Sequence, residues 1–166
     1  MDNNTKNNKT ENLKNIIKKY GNMLFRICYC ILCNQQDAED ALQDTMLKYA
    51  TKAPEFNDEE HEKAWLIKVA TNISKNMMIT RLRRKTVNID ELVNIGTEDR
   101  DIGVFSAVME LPVKYKIVMT LYYIEGYSVK QVSEITSVSE AAVRKRLQKG
   151  RELLKVEIER GYRYGK

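Results

Sequence analysis

Apolar residues recur at intervals of three and four from Leu13 to Ile158, and this spacing restricts the possible folds more than any other feature of the chain. It is the spacing of one face of an α-helix, whereas the period-two alternation of a half-buried strand is scarce. Only seven glycines and two prolines interrupt the pattern, so few positions can end a helix. The sequence therefore predicts an all-α protein.

Polar breaks divide the pattern into two small helical domains joined by a flexible linker. Residues 1–10 are rich in Asn, Lys and Thr and are predicted to be a disordered tail. The first domain is expected over residues 11–85. Residues 86–103 ("TVNIDELVNIGTEDRDIG") have no sustained period and are predicted to be the linker, and residues 104–160 form the second domain. A chain of 166 residues is long enough for two such modules.

The first domain is predicted to contain a small number of helices. Residues 13–33 have helical spacing that is interrupted at Gly21, which indicates two short helices or one bent helix. Asn34 is a suitable N-cap for "QQDAEDALQDTMLKYA", whose first turn carries acids that suit the positive helix end. Pro54 and a polar run predict a loop, after which a long helix is expected from about residue 62 to 84.

The three cysteines, Cys28, Cys30 and Cys33, lie within one apolar helical segment. Cys28 and Cys30 point about 200° apart on a helix, so the three thiols cannot converge on one metal ion. The chain has a single histidine, His61, which leaves a zinc site short of ligands. We interpret the cysteines as reduced core thiols, with a redox or metal role as the alternative.

The sequence lacks several features that other protein classes require. No run approaches the roughly 20 apolar residues of a spanning helix, and the first residues contain no hydrophobic signal core, so we expect a cytoplasmic protein without membrane insertion. The chain has no glycine-rich phosphate loop and no credible catalytic triad. We expect neither enzymatic activity nor a cofactor.

The formal net charge of +5 is unevenly distributed. Carboxylates gather between residues 37 and 62, and cations gather at residues 81–85 and 144–155. Acid on one helix and base on two others indicates two kinds of partner.

The second domain contains the clearest local pattern, "YSVKQVSEITSVSEAAVRKRLQKGRELLK". Ser128 and Gln131 form a capping-box pair for a helix that ends near Thr136. A turn of about three residues follows, and a longer basic helix begins near Ser139, whose hydroxyl caps it. This order is typical of a helix-turn-helix. Upstream, residues 104–110 and 112–124 predict two more helices.

Two residues punctuate those upstream helices. Pro112 suits the first position of the second of them. Gly126 is expected to end it.

The basic helix has two distinct faces. Its predicted buried stripe consists of Val143, Leu147, Gly150 and Leu154. The opposite face carries cations and one amide: Ala141, Arg144, Lys145, Gln148, Arg151 and Lys155. Such a face is either solvated surface or a DNA-binding surface. The capped helix and tight turn before it favour DNA binding, with Arg144, Lys145 and Gln148 nearest the bases.

The long helix of the first domain also has two faces. Its predicted core side is Leu66, Ala70, Ile73 and Met77. The opposite stripe contains Trp65, Lys68, Asn72, Lys75, Asn76, Ile79 and Arg83. Amides that bond base edges, an aromatic plane and cations together predict a second nucleic-acid face, suited to a single strand. The alternatives are solvated asparagines and a tryptophan that belongs to the core.

These segments resemble bacterial RNA polymerase sigma factors, and specifically their small extracytoplasmic-function (ECF) group. The resemblance covers about residues 12–85 and 104–156. "DAEDALQDTMLKYA" is similar to the acidic helix that docks on the clamp coiled coil of core polymerase. The resemblance implies that the core-contacting residues are Asp40, Gln43, Asp44 and Met46.

The segment "FNDEEHEKAWLIKVATNISKNMMITRLRR" resembles the part of a sigma factor that reads and opens the minus-ten promoter element. The resemblance implies that loop residues 56–63 hold a flipped base. The residues that it assigns to the minus-ten element, together with the stripe described above, are Phe56, Lys63, Trp65, Lys68, Asn72, Lys75, Asn76 and Arg83.

The segment "ELPVKYKIVMTLYYIEGYSVKQVSEITSVSEAAVRKRLQKGRELLK" resembles the domain that places a helix-turn-helix in the minus-thirty-five element. The implied DNA contacts are Ser139, Ala141, Arg144, Lys145, Gln148 and Arg151. The family usually has alanine at Ser133, glycine at Ser137 and arginine at Lys116. We expect Ser137 to distort the recognition helix slightly and Lys116 to lack a bidentate phosphate contact.

The resemblance implies an alternative sigma factor, with core RNA polymerase, promoter DNA as duplex and melted strand, and an anti-sigma factor as partners. A free-standing helix-turn-helix regulator is the main alternative, and it leaves the acidic helix and the Asn/Trp stripe unexplained. An enzyme is a second alternative, for which the chain has no suitable residues.

Overall fold

The computed structural model describes residues 3–84 and 107–164, with side chains over 11–83 and 107–160. All elements in these ranges are helices, which confirms the all-α prediction. The chain divides into two compact units, Met1–Met78 and Ile79–Lys166. The predicted linker, residues 86–103, lies outside the described residues.

The first unit is built from α1 (Asn3–Leu32), α2 (Gln35–Lys52) and the part of α3 (Glu59–Arg84) that precedes Ile79. The expected break at Gly21 is absent, and α1 is one continuous helix, because a single buried glycine costs a helix only about 1 kcal/mol. The prediction of a disordered tail is wrong for residues 3–10, which are helical. Once a packed helix supplies the nucleus, each further residue only has to propagate it.

Polar side chains set the ends of these helices. The Asn34 side chain accepts a hydrogen bond from the Asp37 backbone N–H at 2.9 Å, which confirms Asn34 as the N-cap of α2. Asp58 accepts from the His61 backbone N–H at 2.7 Å. This bond begins α3 at Glu59, three residues before the predicted start at 62.

The core of the first unit is drawn from all three helices. Its buried side chains include Leu24, Ile27, Cys28, Cys30, Ala38, Ala41, Leu66, Ile67 and Ala70. Each buried leucine or isoleucine contributes roughly 1.5 to 3 kcal/mol. Burial raises the pKa of Cys28 to about 11, so this thiol stays protonated at neutral pH. Cys33 is half-buried, and all three cysteines are free.

The second unit contains α4 (Val113–Met119), α5 (Val129–Thr136) and α6 (Glu140–Tyr164). Residues 107–109 are also helical. A π-helical turn, Thr120–Ile124, extends α4. Pro112 is the N-cap of α4 and not its first helical residue. Gly126, with φ of +74°, ends this segment as predicted.

The helix-turn-helix is confirmed in α5 and α6. Ser128 and Gln131 exchange both bonds of a capping box. Ser137 has a left-handed φ of +57°, a conformation in which glycine carries no side-chain penalty. The Ser133 hydroxyl donates to the Val138 carbonyl across the turn at 2.6 Å. The serine that replaces the usual alanine therefore braces the turn.

The packing of α6 against α4 depends on a missing side chain. A Cβ on Gly150 would lie 3.0 Å from Met119 Cγ and Sδ, so the two helices meet at the position where α6 has no side chain. Lys116 of α4 is only 3% exposed, and its Nζ donates to the Met109 carbonyl at 3.0 Å. Lys116 is therefore not placed for a bidentate phosphate contact, in agreement with the expectation, because its ammonium is buried and bonds to the preceding helical residues.

Among the residues that the structure describes, no helix is long and apolar enough to cross a membrane. Within the same ranges, no group of three or more acidic, cysteine or histidine side chains is arranged to hold a metal ion.

Candidate nucleic-acid and protein interfaces

The polar stripe of α3 is a surface. Lys68, Asn72, Asn76 and Arg83 are exposed, whereas Leu66 on the opposite side is fully buried. Among the described residues, no side chain bonds to Lys68, Asn72 or Asn76. From Lys63 to the end of the helix the sequence has no carboxylate. Ile79 on this stripe is also exposed, and the polar groups beside it are cations and unengaged amides, which suit phosphates and base edges.

The buried side of α3 is broader than its apolar residues predict. Ile73 and Met77, assigned to the core by periodicity, are only half-buried. Thr71 and Ser74 are fully buried instead. Small hydroxyl side chains fit where helices approach closely, a property that hydrophobic spacing does not show.

Trp65 is not on the exposed stripe. It is half-buried, with its ring edge-on to Phe56 at 5.7 Å and to Tyr49 at 6.2 Å between centroids. Phe56 also contacts the His61 ring at 5.4 Å. The four rings fasten the loop between α2 and α3 to both helices. Lys75, also placed on the stripe, is half-buried.

Tyr49 is a residue of this cluster that the sequence did not reveal. Its hydroxyl donates to Glu62 Oε1 at 2.5 Å, which links the end of α2 to the first turn of α3. Burial, followed by this bond to Glu62, raises the pKa of Tyr49 to about 12. Its position near the end of the predicted α2, beside a loop, was the only available signal.

A cavity of about 580 Å³ lies beside the aromatic cluster. It is lined by Asn12 and Leu13 of α1, the end of α2, residues 53–56 and Glu62. The predicted base-holding loop, residues 56–63, therefore borders an open space at Phe56 and Glu62. Lys63 is half-buried at the start of the α3 surface.

The acidic helix α2 presents Asp40, Gln43 and Asp44 to solvent, as expected for a docking surface. Met46 is 6% exposed, so its assignment to that surface is wrong. The apolar side chain on the face is Leu47, which is 63% exposed. Leu47 lies seven residues after Asp40 and so shares its face, whereas Met46 is turned about 120° from Asp40 toward the core.

The predicted DNA face of α6 is exposed at Ala141, Arg144, Lys145, Gln148 and Arg151. The stripe beneath it is buried at Val143, Leu147 and Gly150, while Leu154 is half-buried. The Ser139 hydroxyl accepts from the Ala142 backbone N–H at 3.2 Å, which confirms that it caps the helix.

Several side chains of this face already have protein partners. Arg144 forms an ion pair with Glu140 at 2.8 Å, and Arg151 donates to the Tyr123 hydroxyl at 3.0 Å. Gln148 Nε2 lies 3.4 Å from Glu152 Oε1. Glu140 and Tyr123 were missed in the sequence because their contacts depend on rotamers and on the packing of α4.

Two protein families match the two halves of the chain. Residues 16–87 match sigma-70 region 2, and residues 104–154 match sigma-70 region 4. The chain thus belongs to the sigma-70 family, whose members are non-catalytic subunits of RNA polymerase. Within that family it is an ECF-type sigma factor, an alternative sigma factor that directs promoter-specific transcription.

Curated relatives of similar length support this assignment. The ECF RNA polymerase sigma factor SigW of Bacillus subtilis is 25% identical, with 86% of this chain and 87% of the relative covered. The ECF sigma factor SigM of the same organism is 27% identical over 88% of this chain and 94% of its own.

Solved structures share the fold. The sigma factor RpoE from Bartonella quintana, crystallised with the anti-sigma factor NepR, has a TM-score of 0.77 at 20% identity and covers 90% of this chain and 98% of that chain. CnrH, solved with the cytosolic domain of CnrY, has a TM-score of 0.65 at 18% identity, with coverages of 90% and 89%.

Proposed function

We propose that the chain binds core polymerase through α2, reads and opens the minus-ten element with α3, and holds the minus-thirty-five element with α6. One observation carries this proposal. Two separate folded units each expose a long helical face of cations and amides, while a third helix exposes carboxylates around an apolar side chain. A single nucleic-acid partner does not explain the third surface.

The docking surface on α2 is Asp40, Gln43, Asp44 and Leu47. Leu47, which is exposed in the free protein, becomes buried on binding and supplies the apolar centre of the contact. The carboxylates around it favour a basic partner surface. Leu47 takes the role that the sequence assigned to Met46.

The α3 surface stabilises the opened strand. Asn72 and Asn76 bond to base edges, Lys68 and Arg83 neutralise phosphates, and the loop at Phe56 receives an unstacked base beside the 580 Å³ cavity. Opening costs roughly 1.4 kcal/mol per base-pair step. Stacking returns about 1 to 3 kcal/mol per captured base, so a few captured bases offset the opening without ATP. Trp65 supports the loop through the edge-on contact of its ring with Phe56.

The α6 surface anchors the upstream duplex. The N-terminal half of α6 enters the major groove, where Arg144, Lys145 and Gln148 approach base edges. Ala141 offers a methyl contact to thymine, and Arg151 meets a phosphate. Ser139 fixes the start of the helix through its cap.

The experiment is run-off transcription. Purified protein is combined with sigma-free core polymerase and promoter fragments selected from genomic DNA. We expect transcripts that require both protein and promoter, and their loss with Asp44→Lys or Leu47→Asp, which leave the core of the first unit intact. Lys18→Glu, an exposed charge change on α1, is the matched control. Failure to bind core polymerase overturns the proposal.

We also infer a regulatory partner of the anti-sigma class, working with this protein in the cytoplasm. The support is the fold shared with RpoE and CnrH, which were solved with NepR and CnrY respectively. An anti-sigma factor should suppress the run-off transcript and be displaced by excess core polymerase. A bound protein that leaves transcription unchanged contradicts this assignment.

A further inference from the structure

Glu140, the first residue of α6, stands at the end of the helix that approaches bases. Its side chain is 43% exposed, and its Oε2 lies 2.8 Å from Arg144 Nη2, four residues on. A carboxylate in a first turn favours the positive helix end, and an i,i+4 pair supports the helix slightly. Both effects would operate on any exposed helix and do not require that α6 binds DNA.

The position of Glu140 goes beyond these effects. Residues at the N-terminal end of a recognition helix contact base edges, and Glu140 is about 40° around the helix from Arg144. Its neighbour Ser139 already uses its hydroxyl oxygen as acceptor for the Ala142 N–H at 3.2 Å. Glu140 therefore supplies the carboxylate acceptor at this end of the face.

The chemistry of the pair is complementary to a G·C base pair. The hydrogen bond between the two side chains engages one guanidinium nitrogen of Arg144 and only Oε2 of Glu140. The other guanidinium N–H groups can donate to guanine O6 and N7, and Oε1 can accept from the cytosine N4 amine. Because the arginine partly neutralises the carboxylate, the phosphates repel it less.

We propose that Glu140 is a specificity-determining residue, which accepts a hydrogen bond from cytosine N4 while Arg144 donates to guanine. This inference rests on the proposed binding of the upstream element by α6. Glu140 then makes the protein prefer a cytosine on one strand of the upstream element, at the position that faces the start of α6.

The test is selection from a promoter library by the holoenzyme of this chain and core polymerase. Six upstream base pairs are randomised, and the minus-ten region is held constant. Wild-type protein should enrich one C·G pair about tenfold through Glu140. Glu140→Ala should lower the preference at that pair alone, to the part that Arg144 maintains through guanine, and Glu140→Gln should raise the share of adenine at the cytosine position, since glutamine bonds adenine through N6 and N7.

Glu157→Ala is the matched control. Glu157 is also a partly exposed carboxylate of α6, paired with Arg160 at 3.1 Å, but it lies beyond the predicted DNA face. Its variant should keep the wild-type preferences. Core binding and the melting temperature of each variant establish that the fold is retained.

The outcomes separate the two ideas. If Glu140→Ala weakens all sequences equally, or leaves every base preference unchanged, Glu140 has only a structural role and the inference is overturned while upstream recognition stands. If wild-type protein shows no upstream preference at all, the proposed function of α6 fails, and the inference fails with it.

Discussion

The two candidate nucleic-acid faces lie on helices of similar length, 26 residues in α3 and 25 in α6, but their polar groups are held differently. Among described residues, no side chain bonds to Asn72 or Asn76 of α3. On α6, Arg144 and Arg151 have partners at 2.8 and 3.0 Å.

This difference agrees with the two nucleic-acid forms of the proposed function. A regular duplex presents base edges at fixed positions, so a pre-positioned arginine loses less entropy on binding. A melted strand has no fixed shape, and free amides together with stacking surfaces can adapt to it. Under the proposed function, the held side chains of α6 meet the ordered duplex, and the amides of α3 meet the variable melted strand.

The largest expected effect comes from Val143→Asp, which should abolish binding by α6 and leave binding by α3 intact. Val143 is a fully buried residue of α6, and an unpaired buried carboxylate costs several kcal/mol. The second unit should unfold and duplex binding should disappear, while affinity for a pre-melted minus-ten fragment stays within about twofold, because a residue outside the first unit leaves its packing intact. Circular dichroism and fluorescence binding measure both.

Val156→Asp is the control for that change, since Val156 is 44% exposed on the same helix. It should alter neither stability nor binding. Loss of pre-melted binding in Val143→Asp would show that the two faces do not act independently.

Replacing Asn72 and Asn76 together with alanine should produce the next largest effect. Each amide that bonds a base edge is worth roughly 1 to 3 kcal/mol, so affinity for the pre-melted fragment should fall at least about tenfold. Duplex binding through α6 should not change. The matched control is Asn15→Ala with Asn22→Ala, two exposed asparagines on α1. If the affinity for the pre-melted fragment does not change, the asparagines of α3 do not read bases.

Salt dependence should distinguish the phosphate-binding cations of the two faces. Lys68→Ala should lower the salt slope for the pre-melted fragment by about 0.7, and Arg151→Ala should lower the duplex slope by about 0.9, the values for one phosphate on single and double strands. Lys48→Ala, an exposed lysine of α2, should change neither. Titrations between low and moderate salt give the slopes. Equal effects of both variants on both probes would contradict the division.

The smallest effect is expected at the turn before α6. Ser137 has φ of +57°, so Ser137→Gly should stabilise the second unit by about 1 kcal/mol, or about 4 to 8 °C for a domain of this size. Duplex affinity should stay the same, because the turn already has the required conformation. Ser137→Ala keeps a side chain and should give no gain. If both variants melt alike, the left-handed residue carries no strain.

Much of the fold was predictable because it depends on local chemistry. The Asn34 cap, the Ser128 and Gln131 box and the end at Gly126 each involve residues within a few positions of one another, and all were confirmed. The exposed cations of α6 follow from its helical period. Helix starts were less certain, as Asp58 shows, since any nearby acceptor can begin a helix earlier.

Errors arose where burial depends on a neighbouring helix. Met46 and Leu47 are adjacent and both apolar, yet one is 6% and the other 63% exposed. Lys116 is long and charged, but its bond to the Met109 carbonyl offsets part of the cost of burial. Trp65 has the right helical angle for the exposed stripe, but the loop carrying Phe56 covers part of it.

By itself the sequence determined the helices, their caps, the helix-turn-helix and the separation of acidic from basic surfaces, because periodicity, capping and charge act over one or two turns. Only the tertiary structure decided which side chains stay free and which are held. Within the described part of the chain, Asn72 and Asn76 have no side-chain partner, whereas Arg144 and Arg151 are positioned by Glu140 and Tyr123. The physical reason is that such contacts depend on rotamers and on packing between helices distant in sequence.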